Sequence, residues 1–168
     1  ITMDDNSIAR MSCNPAIGGL AKGHLVREVD ALGGIMGVAA DKTAIQFKTL
    51  NKSKGRAVWS PRAQVDKIKY SNFIRNKIQT DKNINIIIDE AVDICVNNSK
   101  ISGVKLKSGT TCEVSSLIIT TGTFLGGKIH VGQNTYGAGR FAEPPSYGIT
   151  ESLLSLGFDS YKLKTGTP

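Results

Sequence analysis

Histidine and cysteine are scarce in this 168-residue chain, which limits the metal and disulfide chemistry open to it. The two histidines, His24 and His130, lack the spacing of a metal site, and no Ser/His/Asp order indicates a hydrolase triad. The three cysteines, Cys13, Cys95 and Cys112, are odd in number and irregularly spaced, which argues against a disulfide framework. We therefore expect no metal and a reducing, cytoplasmic location.

Long apolar runs and the common nucleotide loops are also missing. No run approaches the roughly 18 to 20 apolar residues of a membrane helix, and the polar start of the chain does not resemble a signal peptide. We therefore expect no membrane partner. Neither G-x-G-x-x-G nor G-x-x-x-x-G-K-[ST] occurs, so a dinucleotide-binding loop, if the protein has one, is expected upstream of Ile1.

Positively charged residues are abundant and are concentrated in one stretch of the chain. Ten of the basic residues fall between Lys48 and Lys82, where the only acidic residues are Asp66 and Asp81. A clustered positive field attracts polyanions, so this stretch favours nucleic acid as a partner. A solvated, lysine-rich helix face is the alternative, and few aromatic residues accompany the charge.

The hydrophobic periodicity predicts an α/β fold, with a parallel sheet covered by helices and an inserted three-stranded antiparallel β-meander. The predicted helices follow Gly23, run from Ser60-Pro61 to about Ile78, and run from a Ser146 cap to Leu156. The predicted strands are Ala44–Leu50, Ile84–Ile88, the meander strands 91–97, 100–107 and 110–115, and a buried strand at Leu117–Ile119.

Two segments could carry chemistry. The predicted buried strand ends in Thr121-Gly122, and ligands dock at the carboxyl ends of strands in open α/β sheets, although such a turn can also be purely structural. Cys13 enters a glycine-rich loop ahead of a predicted helix, where its thiolate would be favoured as a nucleophile or as a partner of a redox ring. The alternative for Cys13 is a small, buried apolar residue.

Several longer strings carry a resemblance to a known family. They include residues 11–19, 22–26 and 28–34, Arg62-Ala63-Gln64, residues 121–125, Pro144-Pro145-Ser146 and residues 163–168. On these strings the chain resembles the GidA/MnmG family of FAD-containing tRNA-modifying enzymes along essentially its whole length. The resemblance implies a partial FAD-binding domain of the glutathione-reductase type at residues 1–158, and residues 159–168 that lead into an inserted NADH-binding domain. As a piece of a longer enzyme, the isolated chain is expected to be inactive.

The resemblance also implies an activity, cofactors and partners. Family enzymes add a carboxymethylaminomethyl group to C5 of the tRNA wobble uridine, using FAD, NADH and methylenetetrahydrofolate. They act with an MnmE-type GTPase in a heterotetramer, and the full-length protein is expected to be a homodimer.

The resemblance also assigns roles to particular residues. It gives Cys13 a catalytic role near the flavin and implies FAD contacts at Asn14, Val92 (through its backbone), Thr121, Gly122 and Ser146. Thr120 replaces the alanine of the usual flavoprotein Ala-Thr-Gly element, and Arg56 stands where family members often have proline.

The basic stretch is our own candidate for the tRNA contact, with Lys52, Lys54, Arg56 and Arg62 as the proposed residues. Two other functions stay open. One is a related folate- and FAD-dependent tRNA uridine methyltransferase or another flavin oxidoreductase. The other is a non-enzymatic RNA-binding module.

Overall fold

The computed structural model describes residues 1–164 and contains two compact units. The first unit is formed by residues 4–86, and the second by residues 1–3 together with the chain from residue 87 onward. The end of the predicted lead-in, residues 165–168, lies outside the described residues. In the described part of the chain no helix is long and apolar enough to cross a membrane.

The first unit packs three helices with a small antiparallel sheet of strand order β1-β3-β2. Its elements are β1 (Ala16–Gly18), α1 (Gly23–Ala31), α2 (Ile35–Thr43), β2 (Ala44–Leu50), β3 (Ser60–Val65) and α3 (Lys67–Thr80). The core lies between β3, α2 and α3 and is formed by Ala39, Ala40, Ala63, Val65, Tyr70 and Ile74. The predicted helix after Gly23 and strand Ala44–Leu50 are confirmed.

The predicted helix start at Ser60-Pro61 is wrong. Residues 60–65 instead form β3, which pairs with β2 from Leu50↔Ser60 to Ala44↔Val65. Ala63 and Val65 are both buried, with the period of two that a strand requires. The helix begins at Lys67, because the side chain of Asp66 accepts hydrogen bonds from the amides of Ile68 and Lys69 at 2.9 and 3.0 Å.

The second unit contains the predicted meander, which is confirmed. Its antiparallel sheet has the order β4 (Ala91–Asn97), β5 (Lys100–Leu106) and β6 (Thr111–Glu113). A two-stranded ribbon of β7 (Lys128–Val131) and β8 (Asn134–Gly137) follows, and then α4 (Ile149–Ser155). Together with the first unit, these elements confirm a fold of mixed helices and strands, but the predicted parallel sheet is wrong. Every sheet among the described residues is antiparallel, and parallel pairing is limited to the isolated bridges Thr2↔Ile88 and Leu125↔Ser146.

Three details of the second half differ from prediction. Leu117–Ile119 forms no strand, and Ile118 is 85% exposed, because no described strand pairs with this segment. The predicted strand Ile84–Ile88 is reduced to one parallel bridge between Thr2 and Ile88. The last helix is capped by Gly148 rather than Ser146, because the Gly148 amide donates to the Glu151 carboxylate at 2.8 Å.

Candidate functional site

Cys13 is exposed, and this excludes the alternative that it is a small, buried core residue. It lines a pocket of about 410 Å³ with Gln64 from β3 and with residues 66–68 at the start of α3. The helix expected to follow Cys13 directly is α1, but strand β1 lies between them in the chain. The helix N-terminus at this pocket is that of α3, and the Ile68 amide there already donates to the Asp66 carboxylate. The thiol is therefore accessible to a ligand, and its catalytic role stays a prediction.

The glycine-rich loop after Cys13 is held against β3. Gly18 has φ +89°, and a Cβ there would overlap the Pro61 carbonyl oxygen. The next amide, Gly19 N–H, donates to that same oxygen at 2.8 Å. Asn14 is exposed at the start of the loop, and its backbone carbonyl accepts the Ala16 amide at 2.7 Å.

The β4 strand carries a β-bulge at Val92. Ala91 pairs with Leu106 and Asp93 pairs with Lys105, so Val92 has no partner residue across the ladder. A bulge changes the direction of the local backbone, and bulges are frequent beside functional sites. This geometry fits the backbone contact that is predicted at Val92.

The predicted residues Thr121 and Ser146 are linked through Phe124. The Phe124 amide donates to the Thr121 carbonyl at 3.3 Å, and the Phe124 carbonyl accepts the Ser146 amide at 2.8 Å. Thr121 and Gly122 are exposed, and Gly122 has φ +60° with open space where a Cβ would stand. Ser146, in contrast, is buried, and its carbonyl accepts the Gly126 amide at 2.8 Å. Its hydroxyl is therefore the only group of Ser146 outside these backbone bonds.

Glu90 joins these segments, although no motif in the sequence singles it out. Its carboxylate accepts hydrogen bonds from the Lys107 ammonium at 2.8 Å and from the Tyr147 amide at 3.3 Å, and the nearby Ser146 side chain also helps to lower the pKa of the carboxyl. Burial raises the pKa of the Glu90 carboxyl, but these hydrogen bonds outweigh burial and hold the pKa below its usual value. The side chain is only 13% exposed. The available signal was an acidic residue directly before a strand, which is too common to stand out.

Gly148 allows the turn after Ser146 to pack against the backbone of Val92. A Cβ at Gly148 would overlap the Val92 carbonyl oxygen and lie 2.9 Å from the carbonyl carbon. Only glycine therefore allows the turn after Ser146 to approach the bulge of β4 this closely. The second unit thus collects four of the predicted FAD contacts, at Val92, Thr121, Gly122 and Ser146.

The proposed tRNA-binding residues lie in the first unit, as do Cys13 and Asn14. Lys52, Lys54 and Arg56 are exposed in the loop between β2 and β3, and Arg62 is half-buried on β3. Arg62 lies directly opposite Lys48 of β2. The structure therefore places all four cations on one β-hairpin.

Comparisons with known proteins identify the family. A family model described as glucose inhibited division protein A matches residues 1–168. The chain is 52% identical over 169 residues to the tRNA uridine 5-carboxymethylaminomethyl modification enzyme MnmG of Chlorobaculum tepidum, and 48% identical over 168 residues to the enzyme of that name from Flavobacterium psychrophilum. Each match covers 100% of this chain and 27% of the relative.

A solved structure agrees with these matches. The GidA structure of Aquifex aeolicus superposes with a TM-score of 0.87 at 45% identity, covering 94% of this chain and 26% of that one. The chain belongs to the glucose inhibited division protein A family. It spans about a quarter of the length of the curated relatives that it matches.

Proposed function

We propose that this chain acts as part of a longer tRNA-modifying flavoenzyme, which adds a carboxymethylaminomethyl group to C5 of the wobble uridine. The observation that carries the proposal is 52% identity, over the whole chain, to a relative named for that modification. The fold, with a TM-score of 0.87 to a solved GidA, supports the same conclusion.

We assign FAD binding chiefly to the second unit. The bulge leaves Val92 outside the strand ladder, and the open surface at Gly122 leaves room for a flat ring against the backbone. Thr121 and the Ser146 hydroxyl add polar groups there. The FAD contact at Asn14, in the first unit, is a separate proposal. When bound, FAD would supply the redox chemistry for transfer of a one-carbon unit from methylenetetrahydrofolate, with NADH as the reductant. We also propose that residues 1–158 form part of a FAD-binding domain of the glutathione-reductase type.

Cys13 is our candidate for a reacting side chain. Its thiol is exposed at a pocket of about 410 Å³, which is within the volume range of small-molecule sites. The neighbouring Gln64 offers an amide that could orient a bound ring.

The β2–β3 hairpin, with its basic side chains, would hold the tRNA backbone through counterion release. An MnmE-type GTPase, a homodimeric full-length protein and a cytoplasmic location complete the proposal.

A chimaera tests the activity. The chain replaces its matched quarter of the Chlorobaculum tepidum relative, and the chimaera is expressed in a bacterium that lacks this enzyme. We expect mass spectrometry to find the carboxymethylaminomethyl mark restored in its tRNA. A folded, yellow chimaera that leaves the wobble uridine unmodified would contradict the proposal, and 5-methyluridine in its place would favour the methyltransferase.

The role of Cys13 is tested in the same chimaera. We expect Cys13→Ser to abolish the mark while the flavin content stays unchanged, because the exposed side chain makes no core contacts. The matched control is Cys112→Ser, which changes a half-buried cysteine of β6 and should keep the mark. An intact mark with Cys13→Ser would remove Cys13 from the reaction.

Charge reversal tests the RNA contact. The variant with Lys52, Lys54 and Arg56 changed to Glu should bind tRNA more weakly, and its salt slope should fall by about 2 to 3. The control reverses three exposed lysines outside the hairpin, Lys100, Lys128 and Lys164, for an equal change in net charge. Equal affinity and slope in both triple variants would show that the hairpin does not contact RNA.

A further inference from the structure

The β2–β3 hairpin is a surface of one charge sign. Residues 44–65 contain five basic side chains and no acidic one, and within the described residues none of the five forms an ion pair (Lys48, Lys52, Lys54, Arg56 and Arg62). Lys48 and Arg62 lie directly opposite each other on adjacent strands, where like charges repel. A bound polyanion would relieve this repulsion.

The loop at the end of this hairpin holds an aromatic ring in a fixed position. The Asn51 amide nitrogen Nδ2 donates to the Val58 carbonyl at 3.3 Å, and the Lys54 amide donates to the Asn51 carbonyl at 2.9 Å. The indole Nε1 of Trp59 donates to the Lys54 carbonyl at 3.2 Å. The ring is therefore oriented by the loop itself before any ligand arrives.

Trp59 remains 40% exposed even though it is the largest kind of side chain. The guanidinium of Arg56 lies over the ring, 5.7 Å from its centroid. Aromatic rings and guanidinium planes are the groups on which unpaired nucleic-acid bases stack. Two cations of the same loop, Lys52 and Lys54, are exposed, and positive charge beside stacking groups is what binds the backbone of single-stranded nucleic acid.

We propose that Arg56 and Trp59 form a stacking platform for one unpaired base of an RNA loop, with Lys52 and Lys54 at the adjacent phosphates. This inference rests on the proposed function, in which tRNA is the substrate. The paired bases inside a duplex cannot use the platform, because both of their faces are already stacked on neighbouring base pairs. A polyanion without bases would engage the lysines alone, so it provides a control for charge.

The fluorescence of this chain reports on the platform directly, because Trp59 is its only tryptophan. We expect an anticodon stem-loop RNA to quench the emission, whereas inorganic polyphosphate and a blunt RNA duplex leave it nearly unchanged at equal occupancy. Equal quenching by polyphosphate, or by the duplex, would overturn the platform.

Affinity provides the second measurement, by anisotropy of a labelled stem-loop. Trp59→Leu should weaken binding at least about fivefold, Trp59→Phe should weaken it less, and the salt slope should stay unchanged because no charge is lost. Circular dichroism monitors folding of both variants. Phe141→Leu, which changes an exposed aromatic residue of the second unit, is the matched control and should bind like the parent chain.

The outcomes separate the two proposals. Unchanged affinity in folded Trp59→Leu and Trp59→Phe overturns the platform and leaves the tRNA contact standing. If the parent chain binds no RNA at all, the platform fails together with the proposed RNA contact. If the chimaera described above does not modify tRNA but the quenching occurs, the activity is refuted and the platform is retained.

Discussion

Replacing Gly148 by alanine should damage the second unit far more than an ordinary glycine substitution does. Gly148 precedes α4 with φ +103°, and a Cβ there would overlap the Val92 carbonyl group. Gly157, just beyond the other end of α4, also has a positive φ of +88°, but among the described residues no heavy atom other than those of its chain neighbours lies within 4 Å of its Cβ position. The two glycines therefore share backbone strain and differ in the steric overlap.

The magnitude follows from these two contributions. An alanine forced into positive φ costs about 1–2 kcal/mol. At Gly148 the turn or the β4 strand must also move, and such overpacking adds about 1–3 kcal/mol. We therefore expect a loss of about 2–5 kcal/mol for Gly148→Ala and about 1–2 kcal/mol for Gly157→Ala, if the positive φ is retained.

Urea denaturation of the chain, followed by circular dichroism, measures the two losses. The Gly148→Ala midpoint should fall well below that of Gly157→Ala at a similar m value. In the chimaera, flavin content should fall with Gly148→Ala, because the turn that carries Ser146 is displaced from the bulge at Val92. Equal stability losses in the two variants would refute the claim that the close approach of Gly148 to β4 matters.

Two further predictions concern carboxylates. Glu90→Gln should cost about 1 kcal/mol near neutral pH, since a neutral acceptor replaces a charge-assisted one and Lys107 stays largely solvated. The folded-state pKa of Glu90 is lowered, so its contribution is present above the unfolded value and is lost as pH falls through the folded pKa. The parent and variant denaturation midpoints should therefore converge in acid, and a gap that persists there would contradict this assignment. Asp66→Ala should lower the midpoint of the first unit, monitored by Trp59 fluorescence, whereas Asp66→Asn should lower it less because the amide oxygen can still cap α3. Equal midpoints for those two variants would rule out a capping role.

The sequence pattern predicted the elements whose local signals agree with their packing. The meander strands alternate and end at turn residues, and their register is the one that buries Val104 and Leu106. The sequence left open whether Cys13 is a reactive loop thiol or a small buried residue, and the structure exposes it in a loop before β1.

The errors arose where a local signal competes with tertiary pairing. Ser60-Pro61 has the composition of a helix start, but residues 60–65 pair with β2 as a strand. The helix begins only after Asp66, whose side chain caps it. Leu117–Ile119 has the composition of a buried strand, yet no described strand pairs with it. Glu90 could not be found from sequence, since its partners Lys107 and Tyr147 lie 17 and 57 residues away.

The docking of α4 on β4 has a consequence for assembly of the second unit. The Ser152 hydroxyl bonds to Asp93 and accepts the Ile94 amide, and these contacts join residues 59 and 58 positions apart. Closing so long a loop is entropically costly and delays the contacts that depend on it. We therefore expect Val92 and Ser146 to come together late in folding. A nascent chain should gain affinity for the proposed FAD cofactor only after residue 155 has been synthesised and α4 has docked.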